Sequence, residues 1–255
     1  MKNIITLILF VLIVGAGFKH LNVEDYRVNT VVIDAGHGGK DPGCHGKVAK
    51  EADVALKVAL QVGALIKENS PTTKVIYTRA DNHFIELHER AKKANSKGAD
   101  LFISIHCNAG PSTAFGTEVY AMGLHKEEGN LNVAKRENAV ILKEDNYLDK
   151  YEGFDPNSPI SHILLANMQS VHLESSLSLA SEVDKQFTSI AKKSRGVKQA
   201  GFLVLWKTTM PSILIELGFL TNTDEEKNLN SLAYQKKMAN GIYHAFASYK
   251  KSKEF

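Results

Sequence analysis

Apolar and polar positions along the chain follow two different periods. Short apolar runs bounded by glycine or polar residues recur in TVVIDAG, KVIYTR, ADLFISIHCNA, GTEVYAM and PSILIELGF, and each reads as a strand. Between them the spacing turns helical. Residues 52–68 carry an amphipathic pattern, and IELHERAKKANS puts Leu87, Ala91 and Ala94 on one face. Residues 166–194 align Leu173, Leu177 and Ala180, and residues 225–249 predict a closing helix. Strands separated by helices of this length predict an α/β fold: a mixed, largely parallel sheet flanked by helices on both faces.

One stretch breaks the pattern. From Met122 to about Leu165 charged and asparagine-rich residues surround a single apolar patch, NAVIL, before YEGFDPNSP. A loop this long inside a compact domain is usually functional or disordered, so residues 123–165 are read as an insertion. With 255 residues, 44% hydrophobic and 23% charged, the rest suffices for one domain with a substantial core. At the start, Lys2 precedes an apolar run over residues 4–18, followed by Lys19 and His20. Residues 1–20 thus read as a signal peptide or an N-terminal anchor, and the protein as exported. A net charge of +3 with no basic block predicts no nucleic-acid partner.

Candidate chemistry gathers where strands end. In open α/β sheets, sites form outside the carboxyl ends of strands. His37 follows VVID, His106 closes LFISI, Glu216 closes SILI, and Glu51 opens the helix after the first strand's loop. Two imidazoles and a carboxylate make a common catalytic zinc set with one open position, and a second carboxylate nearby can carry a proton. Glycines around His37 let the backbone turn sharply and keep bulk away. They fit neither a phosphate loop nor a dinucleotide fingerprint. The competing reading makes each of the four a structural residue; His45 is the near rival to His37, and Arg79 and Arg90 are read as structural charges. Cys44 and Cys107 are buried fillers, a disulfide or soft ligands, in that order.

The segments VVIDAGHGGKDPGCHG, KEADVAL, YTRADNHFIELHERAKKANSKGADLFISIHCNA, GTEVY and MPSILIELGFLTN, in this order, resemble the zinc-dependent N-acetylmuramoyl-L-alanine amidases known as amidase type 3. The resemblance covers most of the chain after Asn29 apart from the insertion, and makes 29–255 a catalytic domain. It implies zinc ligation by His37, Glu51 and His106, catalysis by Glu216, and cleavage of peptidoglycan between N-acetylmuramic acid and L-alanine in the periplasm or cell envelope. Asn108, next to a ligand, either orients water or substrate or caps a turn. Cys44 and Cys107 stand where many family members seem to carry alanine. An amidase acting on another amide, or a noncatalytic wall-binding protein, are the alternatives.

Family members that separate daughter cells carry an insertion after the EVY strand, where a helix blocks the zinc until an activator protein removes it. By that resemblance the segment AKRENAVILKEDNYLDKY places one carboxylate, Glu144, on the metal's open position while AVIL docks on the groove. The alternative for this segment is a surface loop or a substrate-binding flap.

Overall fold

A computed structural model describes residues 27–254 except 126, 169, 170 and 192. The expected export segment lies outside the described residues. Six strands form one sheet in the order β2-β1-β3-β6-β4-β5: β1 Thr30–Ala35, β2 Lys74–Tyr77, β3 Leu101–Asn108, β4 Thr117–Met122, β5 Ser194–Ala200 and β6 Ser212–Phe219. Four of them, β2, β1, β3 and β6, run parallel. β4 runs antiparallel to β6 and carries β5 parallel to itself at the edge. The sheet is therefore mixed and largely parallel, as the alternating pattern predicts. Every residue of β3 and β6 is buried, which is why both strands are largely apolar runs interrupted by a few polar side chains, His106 and Glu216 among them.

Each face of the sheet has its own core. On one, Ile33, Ile103, Ile105, Ile213 and Ile215 pack against α1 (Glu51–Asn69), α6 (Leu173–Ile190) and α9 (Leu232–Lys253). Within α1 the buried Ala55, Ala59, Val62 and Ile66 recur at helical spacing and make the stripe that faces the strands. On the other face Val32, Phe102, Tyr120 and Leu214 pack against α2 (Leu87–Ser96), the short α7 (Leu203–Trp206) and the insertion.

The insertion is ordered as helices: α3 (Glu128–Asn138), a 3₁₀ turn at Ala139–Lys143, α4 (Tyr147–Lys150) and α5 (Pro159–Asn167). Val133, Ala134, Val140 and Ile141 sink into the second core, while Leu142 is half-exposed. Two elements depart from the sequence pattern. The closing helix is split into α8 (Thr223–Leu229) and α9, because Ser231 caps a new helix by accepting from the Tyr234 N–H. β5 reads as no strand in sequence, since SRGVKQA offers few apolar positions; pairing along one side of β4 holds it.

Candidate active site

Parallel registration brings the strand ends together. His106 on β3 lies directly beside Glu216 on β6, and Ala35 of β1 beside Ile105 of β3, so the loop after β1 overhangs both. His37 leads that loop with φ of 58°, a left-handed conformation uncommon for a side-chain-bearing residue. Two buried arginines clamp it: Arg79 donates to the carbonyls of Ala35 and Gly36, and Arg90 to those of Ala35 and His37. Arg90 also pairs with buried Asp34 at 2.9 Å. Both arginines are structural, and what they fix is the loop that presents His37. Gly36 must lack a side chain, because a Cβ there would lie 2.4 Å from the His106 ring. Gly43 leaves room likewise for His37 and Glu51.

Glu51 is the first residue of α1, where the helix dipole favours a carboxylate. Its oxygens accept from the N–H groups of Cys44 and Cys107, at 2.8 and 3.0 Å. The two cysteines are free: Cys107 is part of the first core and Cys44 packs against it. Burial pushes both thiols up, which suits fillers.

Four buried residues converge, and only three of them stand out in the sequence. His37 Nε2 lies 3.0 Å from Glu51 Oε1 and 3.1 Å from Glu137 Oε2. His106 Nδ1 lies 3.0 Å from each of the same two oxygens. This group could hold a metal ion. The spacing suits zinc, since a tetrahedron with bonds of about 2.0–2.1 Å has edges of about 3.3 Å. Although buried, His37 Nε2 and Glu137 Oε2 have no hydrogen-bond partner among the described residues, as expected of atoms shaped to face a cation.

Glu137 takes the place expected for Glu144. The chain leaves α3 at Asn138 and turns through the 3₁₀ segment, which carries Glu144 past the site. There its carboxylate accepts from the Leu87 N–H at 2.9 Å and the Tyr151 hydroxyl at 2.7 Å. The signal for Glu137 lies in the helical spacing: Val133, Ala134, Glu137 and Asn138 share one buried face of α3, so a carboxylate at 137 must point inward. Asn108 is also occupied elsewhere, donating to Glu118 and accepting from the Ala109 N–H. His45 is exposed and outside the group.

Electrostatics follow from this crowding. Burial opposes charge on both imidazoles, but the carboxylates outweigh it: Glu51, Asp41 and Glu137 hold His37 well above its usual range, and Glu137 with Glu51 raises His106 to about 9. Glu216 is fully buried, and burial together with Glu137 and Glu51 pushes it well above the usual carboxylate range against the pull of Arg136. Arg136 bridges Glu137 and Glu216, at 2.9 and 3.1 Å. What remains open is a cavity of about 190 Å³ bordered by His37, Glu51, Arg136, Glu137 and Lys143.

Comparison with known proteins places this arrangement. A family model described as N-acetylmuramoyl-L-alanine amidase matches residues 31–248. The chain is 35% identical to the Uncharacterized protein YqiI of Bacillus subtilis (strain 168), over 89% of this chain and 87% of that protein. It is 32% identical to the N-acetylmuramoyl-L-alanine amidase AmiA of Escherichia coli (strain K12), over 86% and 75% respectively. Among solved structures, the catalytic domain of the amidase CwlV from Bacillus (Paenibacillus) polymyxa var. colistinus superposes with a TM-score of 0.64 at 29% identity, covering 87% of this chain and 97% of that one.

Proposed function

From the premise that the chain belongs to the N-acetylmuramoyl-L-alanine amidase family and hydrolyses the amide between N-acetylmuramic acid and L-alanine in peptidoglycan, we propose that it is an exported zinc enzyme whose insertion keeps it closed. His37, Glu51 and His106 would hold the ion, and Glu137 would serve as a fourth donor in the closed state. When bound, zinc supplies Lewis acidity toward the scissile carbonyl and the attacking water.

Glu216 handles the protons. Its place beside His106 suits a group that accepts a proton from the attacking water and returns it to the leaving alanine nitrogen. Its Oε2 is buried without a hydrogen-bond partner among the described residues, free for that exchange, while Oε1 is held by Arg136. Glu118 sits opposite Glu216 across β4 and β6, with its own oxygens taken by Asn108, Tyr120, Arg195 and Lys198. This keeps a competing carboxylate engaged beside the base.

The single observation that carries the closed state is the Arg136–Glu137 pair. One residue neutralises the base and the next sits against both imidazoles. The cavity left beside them is smaller than the roughly 300–1,000 Å³ that ligand pockets take. Opening requires α3 to leave, and an activator protein is the agent proposed; Ile160, Ile163 and Leu164 of α5 stand exposed on the same insertion. The test is digestion of purified wall material by the full chain and by a chain lacking residues 123–165, with and without chelator. Faster release of peptide-free glycan by the shortened chain, abolished by chelator, supports the reading; unchanged or lower activity overturns closure.

A further inference from the structure

The two histidines are backed by different atoms. His37 Nδ1 lies 2.6 Å from Asp41 Oδ2, leaving Nε2 toward Glu51 and Glu137. His106 is turned the other way, with Nδ1 toward the two glutamates and Nε2 3.1 Å from Ser104 Oγ. An ionised carboxylate only accepts, so the proton in the His37–Asp41 contact belongs to Nδ1. Asp41 is nearly buried, and its other oxygen is taken by Lys143 at 2.6 Å and by the Gly43 N–H. The second contact resolves by the same count. Ser104 has one hydroxyl hydrogen and donates it to Asp34 at 2.6 Å, because Asp34, paired with Arg90, can only accept. Ser104 must therefore accept from His106, which places that proton on Nε2.

We infer that Asp41 and Ser104 are positioning residues that fix opposite tautomers, so that His37 meets the ion through Nε2 and His106 through Nδ1. The inference rests on the proposed ligand set and adds to it which nitrogen binds and what holds it there. Groups that orient ligating histidines this way influence affinity as well as geometry. Asp41 hangs from the loop after β1 and Ser104 from the middle of β3. The two ligands are therefore tuned by independent parts of the fold.

The test uses the full chain labelled with ¹³C,¹⁵N-histidine and loaded with zinc, read by long-range ¹H–¹⁵N correlation, with each ring signal assigned through bonds to its own backbone. One ligand should bind through Nε2 with its proton on Nδ1, and the other through Nδ1 with its proton on Nε2. Asp41→Asn should weaken zinc binding about 10–100-fold in chelator competition and shift the His37 signal, leaving that of His106 in place. Ser104→Ala should do the reverse, and Ser104→Thr should restore both signal and affinity. Two ligands of the same tautomer, or wild-type affinity in both Asp41→Asn and Ser104→Ala, overturns the assignment. Should Asp41→Asn fail to fold, the wild-type tautomers decide alone. A wild-type chain that retains no zinc defeats the ligand set instead, and so is told apart from failure of the positioning role.

Discussion

Arg136 reaches from α3 to within 3.1 Å of Glu216 on β6, and so ties the insertion to the carboxylate proposed as the catalytic base. Charged hydrogen bonds of this kind contribute about 1.5–3 kcal/mol, equivalent to about 10–100-fold in the closed-to-open ratio. Arg136→Ala should therefore raise basal release of dye from labelled peptidoglycan by about that factor. A rate equal to or below wild type counts against the tie.

Glu216→Gln keeps the shape and removes proton transfer. Turnover should fall by about 10²–10⁴, the usual share of general acid–base catalysis, while zinc content by atomic absorption stays at the wild-type level. Loss of metal in this variant would instead make Glu216 a ligand.

His37→Ala and His106→Ala should lose zinc and activity together. Full zinc occupancy in either variant contradicts the ligand set. His45→Ala, on an exposed side chain outside the group, should bind zinc as the wild type does.

In the metal-free chain the His106 pKa is raised to about 9, with Glu137 the leading carboxylate behind the rise. A raised pKa means that the folded state holds the proton more tightly than the unfolded one, so this contribution is complete below the ordinary histidine range of about 6.5 and fades as pH climbs through about 9. The gap in melting temperature between wild type and Glu137→Gln should be widest below the ordinary histidine range while Glu137 stays ionised, and should narrow as pH climbs through about 9, with the Arg136 pair keeping the remainder. Zinc binding must also expel that proton, so affinity should rise with pH up to about 9. Isothermal titration at several pH values, in buffers of different ionisation enthalpy, reads both the affinity and the proton release.

Arg90→Ala strips Asp34 of its buried ion-pair partner and frees two loop carbonyls. Leaving a buried charge uncompensated costs about 3–5 kcal/mol, which urea denaturation should register as a lower midpoint. A change below 1 kcal/mol would show that the clamp does little for stability.

The strands around His37, His106 and Glu216 could be read from the sequence because buried parallel strands are apolar runs that stop where polar chemistry begins. β5 was hidden for the opposite reason: an edge strand is held by backbone pairing, which leaves little trace in side-chain pattern. Glu137 was hidden by its company. In a charge-rich segment only its helical spacing from Val133 and Ala134 marks this glutamate as buried, a pattern two small apolar residues make faint. Asp41, Ser104 and Asp34 form no compact motif, since each depends on a partner brought close by the sheet and its loops.

Arg136 and Glu137 are neighbours in the chain, yet they engage different strands. Rotating or unwinding a single turn of α3 would withdraw both at once. In the proposed closed state, base and ligand set are thus held by one element, and activation should come as an all-or-none event with little leakage into the wall between signals.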